Sequence, residues 1–128
     1  MGTSKELSDR LKIFQKRFER AFLLRDAKKI IRFYHKHVVI VGETRVITGR
    51  RAAYNKFKEL FQTPFDFKIT VTDNKEVEDG NRWIQKGFIQ FKNVNEGTLE
   101  IKFEQQCVKM PNGTFLIDGV TNFGSKII

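Results

Sequence analysis

The chain lacks most of the residues that announce a chemistry. It has one cysteine, Cys107, in 128 residues. No intramolecular disulfide can form, and no Cys/His cluster has zinc-ligand spacing. The two histidines, His35 and His37, lie two residues apart at the end of a helical pattern. That spacing puts no pair of ligands on one helical face, and no carboxylate pair joins them. Neither a metal nor a cofactor is expected. No apolar run approaches the roughly 20 residues of a bilayer span. Met1-Gly2-Thr3-Ser4-Lys5-Glu6 leads into a charged amphipathic segment rather than a signal peptide, so an intracellular, cytoplasmic location is expected. Trp occurs once and Tyr twice, against thirteen Phe. Phe is therefore the main bulky filler of the core.

What is present suits one domain spanning residues 1–128, with a real core and 40% hydrophobic residues. The net charge of +9 is lopsided. Residues 1–60 hold 16 Lys/Arg against 6 Asp/Glu, whereas 61–128 hold 8 against 9. A basic face of this kind either keeps the protein soluble or attracts an acidic partner or nucleic acid. No nucleic-acid motif accompanies it.

Thr3 and Glu6 have capping-box spacing. Leu7, Leu11, Phe14, Phe18 and Phe22 then make one apolar helical stripe. Asp26 is placed to cap a second helix running through Ile30, Ile31, Phe33 and Tyr34. Val38 to Val41 is a short β run, closed by a turn at Gly42-Glu43-Thr44-Arg45 and returning through Val46 and Ile47. Thr48 or Gly49 opens a third helix that Pro64 cannot continue. From Phe65 the period becomes two. Asp79-Gly80 and Asn112-Gly113 are hairpin signals, and residues 93–97 make a turn between them. Gly87 interrupts the strand Arg82 to Lys92, as glycine does at a bulge or sharp bend. Asn112-Gly113-Thr114 fits a glycosylation sequon, but without a secretion signal it reads as the hairpin turn. The expected architecture is α+β: a cone-shaped, strongly bent, mostly antiparallel sheet packed on three N-terminal helices.

Four segments carry a family likeness: "FERAFLLRDAKKIIRFY" (18–34), "HVVIVG" (37–42), "GRRAAYNKFKELF" (49–61) and "GTFLIDG" (113–119). In this order and spacing the chain resembles the nuclear-transport-factor-2-like superfamily, also called SnoaL-like or cystatin-like. The resemblance implies a cone-shaped hollow between helices and sheet, and a homodimer paired through the outer sheet face. It also implies a comparison with ketosteroid isomerase. That enzyme's first-helix Tyr falls on Phe18, its carboxylate base near Val41, and its acid near Gln105. All three roles are altered. A slip of a residue offers Glu43 as a base, but Glu43 sits in a turn open to solvent.

Gln105 is the lone polar residue on the apolar strand face Leu99, Ile101, Phe103, Gln105, Cys107. It is either a ligand anchor in the hollow or a satisfied internal amide. Cys107 on the same face reads as a small buried hydrophobe. Tyr54 and Trp83 are candidate pocket aromatics or core filler, as is Tyr34. His37, opening a strand near the mouth, is a candidate acid/base or an exposed helix-end residue. Asp118 alternates with Leu116 and Val120 and is a candidate pocket acid or a residue of the outer face. Arg50 and Arg51 start a helix and can bind an anion or stand solvated.

The sequence is read first as a non-enzymatic dimeric binding or association module with a small, largely apolar pocket for an apolar ligand. Two alternatives compete. One is a SnoaL-like isomerase, dehydratase or hydrolase using a rearranged set such as Asp118, His37 and Tyr54. The other is a weak binder of nucleic acid or an acidic partner through the basic helical half.

Overall fold

The long first helix, α1 (Lys5–Leu23), is held by the stripe its sequence predicts: Leu11, Phe18 and Phe22 are buried, with Phe14 packed against them. The computed structural model describes residues 5–62, 66–93 and 97–128, the side chains of 5–8 and 93 excepted. The Thr3–Glu6 capping box, the Leu7 side chain, Pro64 and Phe65 fall outside these residues, as does most of the turn expected at 93–97.

Asp26 caps α2 (Ala27–Ile30) as expected: its carboxylate accepts from the backbone N–H groups of Lys28 and Lys29 at 3.0 and 3.2 Å. The second helix is shorter than its sequence suggests. A 3-10 turn, Ile31–Phe33, follows, and Tyr34 already begins strand β1 (Tyr34–Val41). The helical pattern misleads here because Ile31 and Phe33 pack on the core from a 3-10 turn, whose side chains do not follow the 3.6-residue period. β2 (Val46–Thr48) returns antiparallel to β1. Gly49 then opens α3 (Arg50–Leu60) with φ 89°, a left-handed conformation that a residue with a Cβ adopts at a cost. Of the two capping candidates, Thr48 and Gly49, the structure uses glycine.

The period-two segments are four long strands: β3 (Asp66–Val77), β4 (Arg82–Asn93), β5 (Gly97–Lys109) and β6 (Phe115–Ile127). The strand order is β2-β1-β6-β5-β4-β3. All neighbours are antiparallel except β1 and β6. The sheet is thus open and mostly antiparallel, with three helices beside it, as the α+β pattern predicts. Asn112 makes the turn before β6, its side chain accepting from the Thr114 N–H at 3.1 Å and hydroxyl at 2.6 Å.

An aromatic wedge fastens the helices to the sheet. Phe22 meets Phe57 and Phe61 of the α3 segment at ring-centroid distances of 6.3 and 5.2 Å, and Phe67 of β3 at 4.4 Å. Tyr34 lies between Phe18 and Phe57, at 6.2 and 5.4 Å.

Two of the sheet's register shifts bear on the site. In β3, Val71 pairs with Gly87 and Asp73 with Lys86, so Thr72 is an extra residue. In β6, Gln106 pairs with Gly119 and Cys107 with Ile117, so Asp118 is the extra one. Bulges sharpen the local bend. The first lies where Gly87 lets two strands approach. A Cβ at Gly87 would stand 2.1 Å from the Thr70 carbonyl oxygen and 3.0 Å from the Phe103 ring.

Gly87→Ala is therefore expected to cost stability at or above the upper end of the roughly 1–3 kcal/mol typical of overpacking, since backbone must move. Urea denaturation of the two proteins measures this. An unchanged midpoint would contradict the β3–β4 approach described here.

Candidate functional site: an apolar hollow with a polar end

The inner sheet face and the helices enclose a hollow of about 580 Å³, within the range of small-molecule sites. α1 supplies Gln15, Phe18 and Phe22 to its wall, and β1 supplies Tyr34 and Ile40. α3 supplies Lys56, Phe57 and Leu60. The sheet supplies an apolar floor that includes Ile69, Ile89, Phe91, Leu99, Ile101 and Val120. The floor follows from strand alternation: Phe91 pairs with Leu99, Ile89 with Ile101, and Gln105 with Val120. A smaller hollow of about 260 Å³ adjoins it and shares Gln15 and Gln85.

Gln105 lies in the wall of the larger hollow and is buried. Its Nε2 donates to Gln85 Oε1 at 3.4 Å. Gln85 is also buried, and its Nε2 donates to Asn74 Oδ1 at 3.1 Å. Asn74 Oδ1 accepts a second bond, from the Trp83 indole N–H at 3.1 Å. Trp83 is 1% exposed and lines the smaller hollow. Two of the candidate residues, Gln105 and Trp83, are thus joined by Gln85 and Asn74.

Other candidates lie elsewhere. Asp118 forms a two-pronged ion pair with Arg82, at 2.8 and 3.1 Å. Arg82 also donates to Gln106 at 3.3 Å, on the outer face. His37 is exposed, and its backbone N–H donates to His35 Nδ1 at 3.0 Å. Tyr54 packs on the core beneath Lys58 Nζ, which sits 5.8 Å from its ring centre, and is not part of the hollow's wall. Glu43 is exposed and accepts from Ser125 N and Oγ at 2.7 and 2.9 Å. Those bonds hold its carboxyl below the ordinary value. Arg50 reaches back to the Tyr34 carbonyl at 3.0 Å. No group of three metal-ligating side chains occurs among the described residues.

Of the positions singled out by the isomerase comparison, Phe18 and Gln105 line the hollow. On β1 it is Ile40 rather than Val41 that does so. Both are apolar, so a slip of one residue restores no base.

Gln85 is the polar residue most easily missed, although it shares its alternation with Trp83, Ile89 and Phe91 and is legible in that pattern. Tyr34, a candidate pocket aromatic, lines the hollow from the start of β1 rather than from the end of the second helix. Burial pushes the Tyr34 hydroxyl above its ordinary pKa, with Cys107 adding to the shift. Burial likewise pushes Cys107 up to about 12, aided by Asp118 and opposed by Gln105 and Arg82. Lys56 is brought below its ordinary value by partial desolvation and by Arg45, against the pull of Glu59.

The Cys107 thiol generates a pH prediction. The unfolded chain releases this proton near the ordinary value of 9.0, and the folded chain keeps it to about 12. Stability is present below pH 9 and is lost as pH rises toward 12, by about 1.4 kcal/mol per pH unit in the window. Cys107→Ala should flatten this alkaline slope while lowering stability at pH 7 through the space it leaves. Denaturation midpoints between pH 8 and 11 measure both. Equal slopes in the two proteins would show that the thiol is not shielded.

No family model matches the chain, and no curated protein matches it. Solved structures do. A ketosteroid isomerase-like protein from Erwinia carotovora atroseptica superposes with TM-score 0.78 at 14% identity, covering 94% of this chain and 96% of that one. An NTF-2 like protein of unknown function from Shewanella oneidensis MR-1 gives 0.78 at 14%, covering 90% and 97%. SalBIII, an epoxide hydrolase/cyclase-like enzyme with a role in pyran ring formation in the polyether salinomycin, gives 0.67 at 18%, covering 94% and 97%. At such identities the likeness shows the fold, which is nuclear-transport-factor-2-like, and not the activity.

Proposed function

We propose that this chain is a non-enzymatic binding module: its hollow takes one small, largely apolar molecule, and two copies pair through the outer sheet face. The supporting observation is the chemistry of the wall. Among the described residues lining the hollow, the titratable side chains are Tyr34 and Lys56. Acid/base catalysis works best with a group that titrates near the operating pH. Tyr34 is displaced away from neutrality. Asp118, His37 and Glu43 are engaged or exposed elsewhere. The rearranged trio Asp118, His37 and Tyr54 therefore has no common site. One observation favours the enzymatic alternative: Lys56 lines the hollow with a lowered pKa, and perturbed groups in clefts often do chemistry.

Pairing of two copies is supported by the outer face. Phe88 pairs with Lys102, and Lys102 with Phe123, so two aromatics flank one aliphatic stem across three strands. Phe123 is 44% exposed. The helices lie on the opposite face, so only another molecule can cover this row.

Two measurements test the proposal. The neutral probe N-phenyl-1-naphthylamine should brighten saturably at one equivalent per chain, with little change between pH 6 and 8. Ile101→Trp should fill the hollow and abolish the signal. Absence of saturable uptake would reject the binding reading. For assembly, light scattering should report about twice the 15.0 kDa chain mass, reduced to one chain by Phe123→Asp. A 15.0 kDa particle at micromolar wild-type protein would reject pairing.

A further inference from the structure

A run of hydrogen bonds that reaches the hollow has a defined polarity. It begins at Trp83, in the wall of the smaller hollow, whose indole N–H can only donate. Its partner, Asn74, must therefore present its oxygen, and this same oxygen accepts from Gln85. Gln85 gives its Nε2 to that bond and so turns Oε1 toward Gln105. Gln105 must answer with Nε2. Asn and Gln orientations are set by such networks rather than by atom shape, and here one indole sets all three. The consequence falls on the last member. Gln105 Oε1 accepts no hydrogen bond from any described residue, and Gln105 lines the hollow.

Tyr34 complements it. The residue is 4% exposed, yet its hydroxyl makes no hydrogen bond with any described residue; only burial and Cys107 act on it. Every fully enclosed side-chain nitrogen and oxygen among the described residues has a partner. The Tyr34 hydroxyl is therefore not fully enclosed, and Tyr34 lines the hollow. It lies at the same end as Gln105. Tyr34 and Cys107 both pair with Ile117 across the sheet, and Cys107 interacts with Tyr34 on one side and Gln105 on the other. The apolar hollow thus ends in one unused donor and one unused acceptor.

We propose that this end selects an apolar molecule carrying a hydroxyl group, which accepts from the Tyr34 O–H and donates to Gln105 Oε1. The proposal rests on the binding reading above and names its ligand class. A hydroxyl supplies one donor and two lone pairs and answers both groups. An ether or ketone answers Tyr34 alone and leaves Gln105 Oε1 desolvated. A carboxylate sets negative charge against that oxygen. Sites built to hydrogen-bond a hydroxyl discriminate strongly, because an analogue without it strands their buried polar groups.

Calorimetry at pH 7 with 2-naphthol, 2-methoxynaphthalene and naphthalene tests this. These probes share one apolar body and differ in hydrogen-bonding capacity. 2-Naphthol should bind at least about tenfold more tightly than either other compound, as one or two net hydrogen bonds imply. Tyr34→Phe should reduce that preference to about threefold or less. It should leave naphthalene affinity equal or higher, because naphthalene no longer strands that hydroxyl, and keep the thermal midpoint, because the hydroxyl supports nothing in the fold. Gln105→Leu should reduce the preference as well, and Tyr34→Phe carries the test if the leucine variant folds poorly. Equal affinity for all three compounds would overturn the hydroxyl proposal and leave the apolar binding reading standing. So would a preference that survives Tyr34→Phe. Failure of all three to bind would overturn both.

Discussion

The contact on which the rest depends is the aromatic wedge centred on Phe22. A helix and a bent sheet touch well only along part of their length. Phe22 fills that contact by meeting Phe67 from the sheet and Phe57 and Phe61 from the third helix segment together. Aromatic rings bury large areas at little conformational cost and favour the edge-to-face geometry seen here. A wedge at one place holds the layers apart beyond it. The inner residues of β3, β4 and β5 then face space rather than helix, and the hollow exists because their apolar side chains are not long enough to close it. Phe-rich composition and the presence of a cavity are two consequences of one packing solution.

The two bulges divide the sheet's chemistry as well as bending it. Strict alternation sends neighbouring residues to opposite faces, and one extra residue reverses every later assignment. In β3 the extra Thr72 turns Asn74 into register with Gln85, where it can close the polar chain to Trp83. In β6 the extra Asp118 stays on the outer side with Arg82, while Val120, two residues on, faces the hollow. The inner and outer faces thereby acquire different characters. Buried amides and an indole satisfy one another inside. Outside, carboxylates meet Lys86 and Lys126 across neighbouring strands, and Arg82 of β4 reaches Asp118 of β6 across β5.

The same bulges mark where sequence reasoning stops. The α+β order, the helix stripe of Leu11, Phe18 and Phe22, and the inward row of β5 were legible because each obeys a simple period over several residues. Gln105 was legible for that reason. Asp118 was ambiguous because Leu116, Asp118 and Val120 look like one alternating set until a bulge separates them. Asn74 gave no signal at all: its inward turn depends on Thr72 being unpaired, which follows from the fit of β3 against Gly87 rather than from local pattern. Tyr34 was obscured differently. Its position after Ile30, Ile31 and Phe33 looks helical, and only the 3-10 turn makes it the first residue of a strand.

Charge placement completes the physical picture. The chain carries +9, yet the wall of its hollow contains a single lysine and no carboxylate or imidazole among the described residues. A charged group moved from water into an apolar cavity either loses several kcal/mol or changes its protonation. The fold avoids that cost by using amides and a phenol inside, groups that hydrogen-bond without ionising near neutral pH. On the proposed binding reading, such a wall would select by shape and hydrogen-bond pattern in much the same way across the neutral pH range. Titratable residues on the outer strands and exposed helix faces stand apart from that wall, so the charge of the surface and the chemistry of the hollow can vary independently.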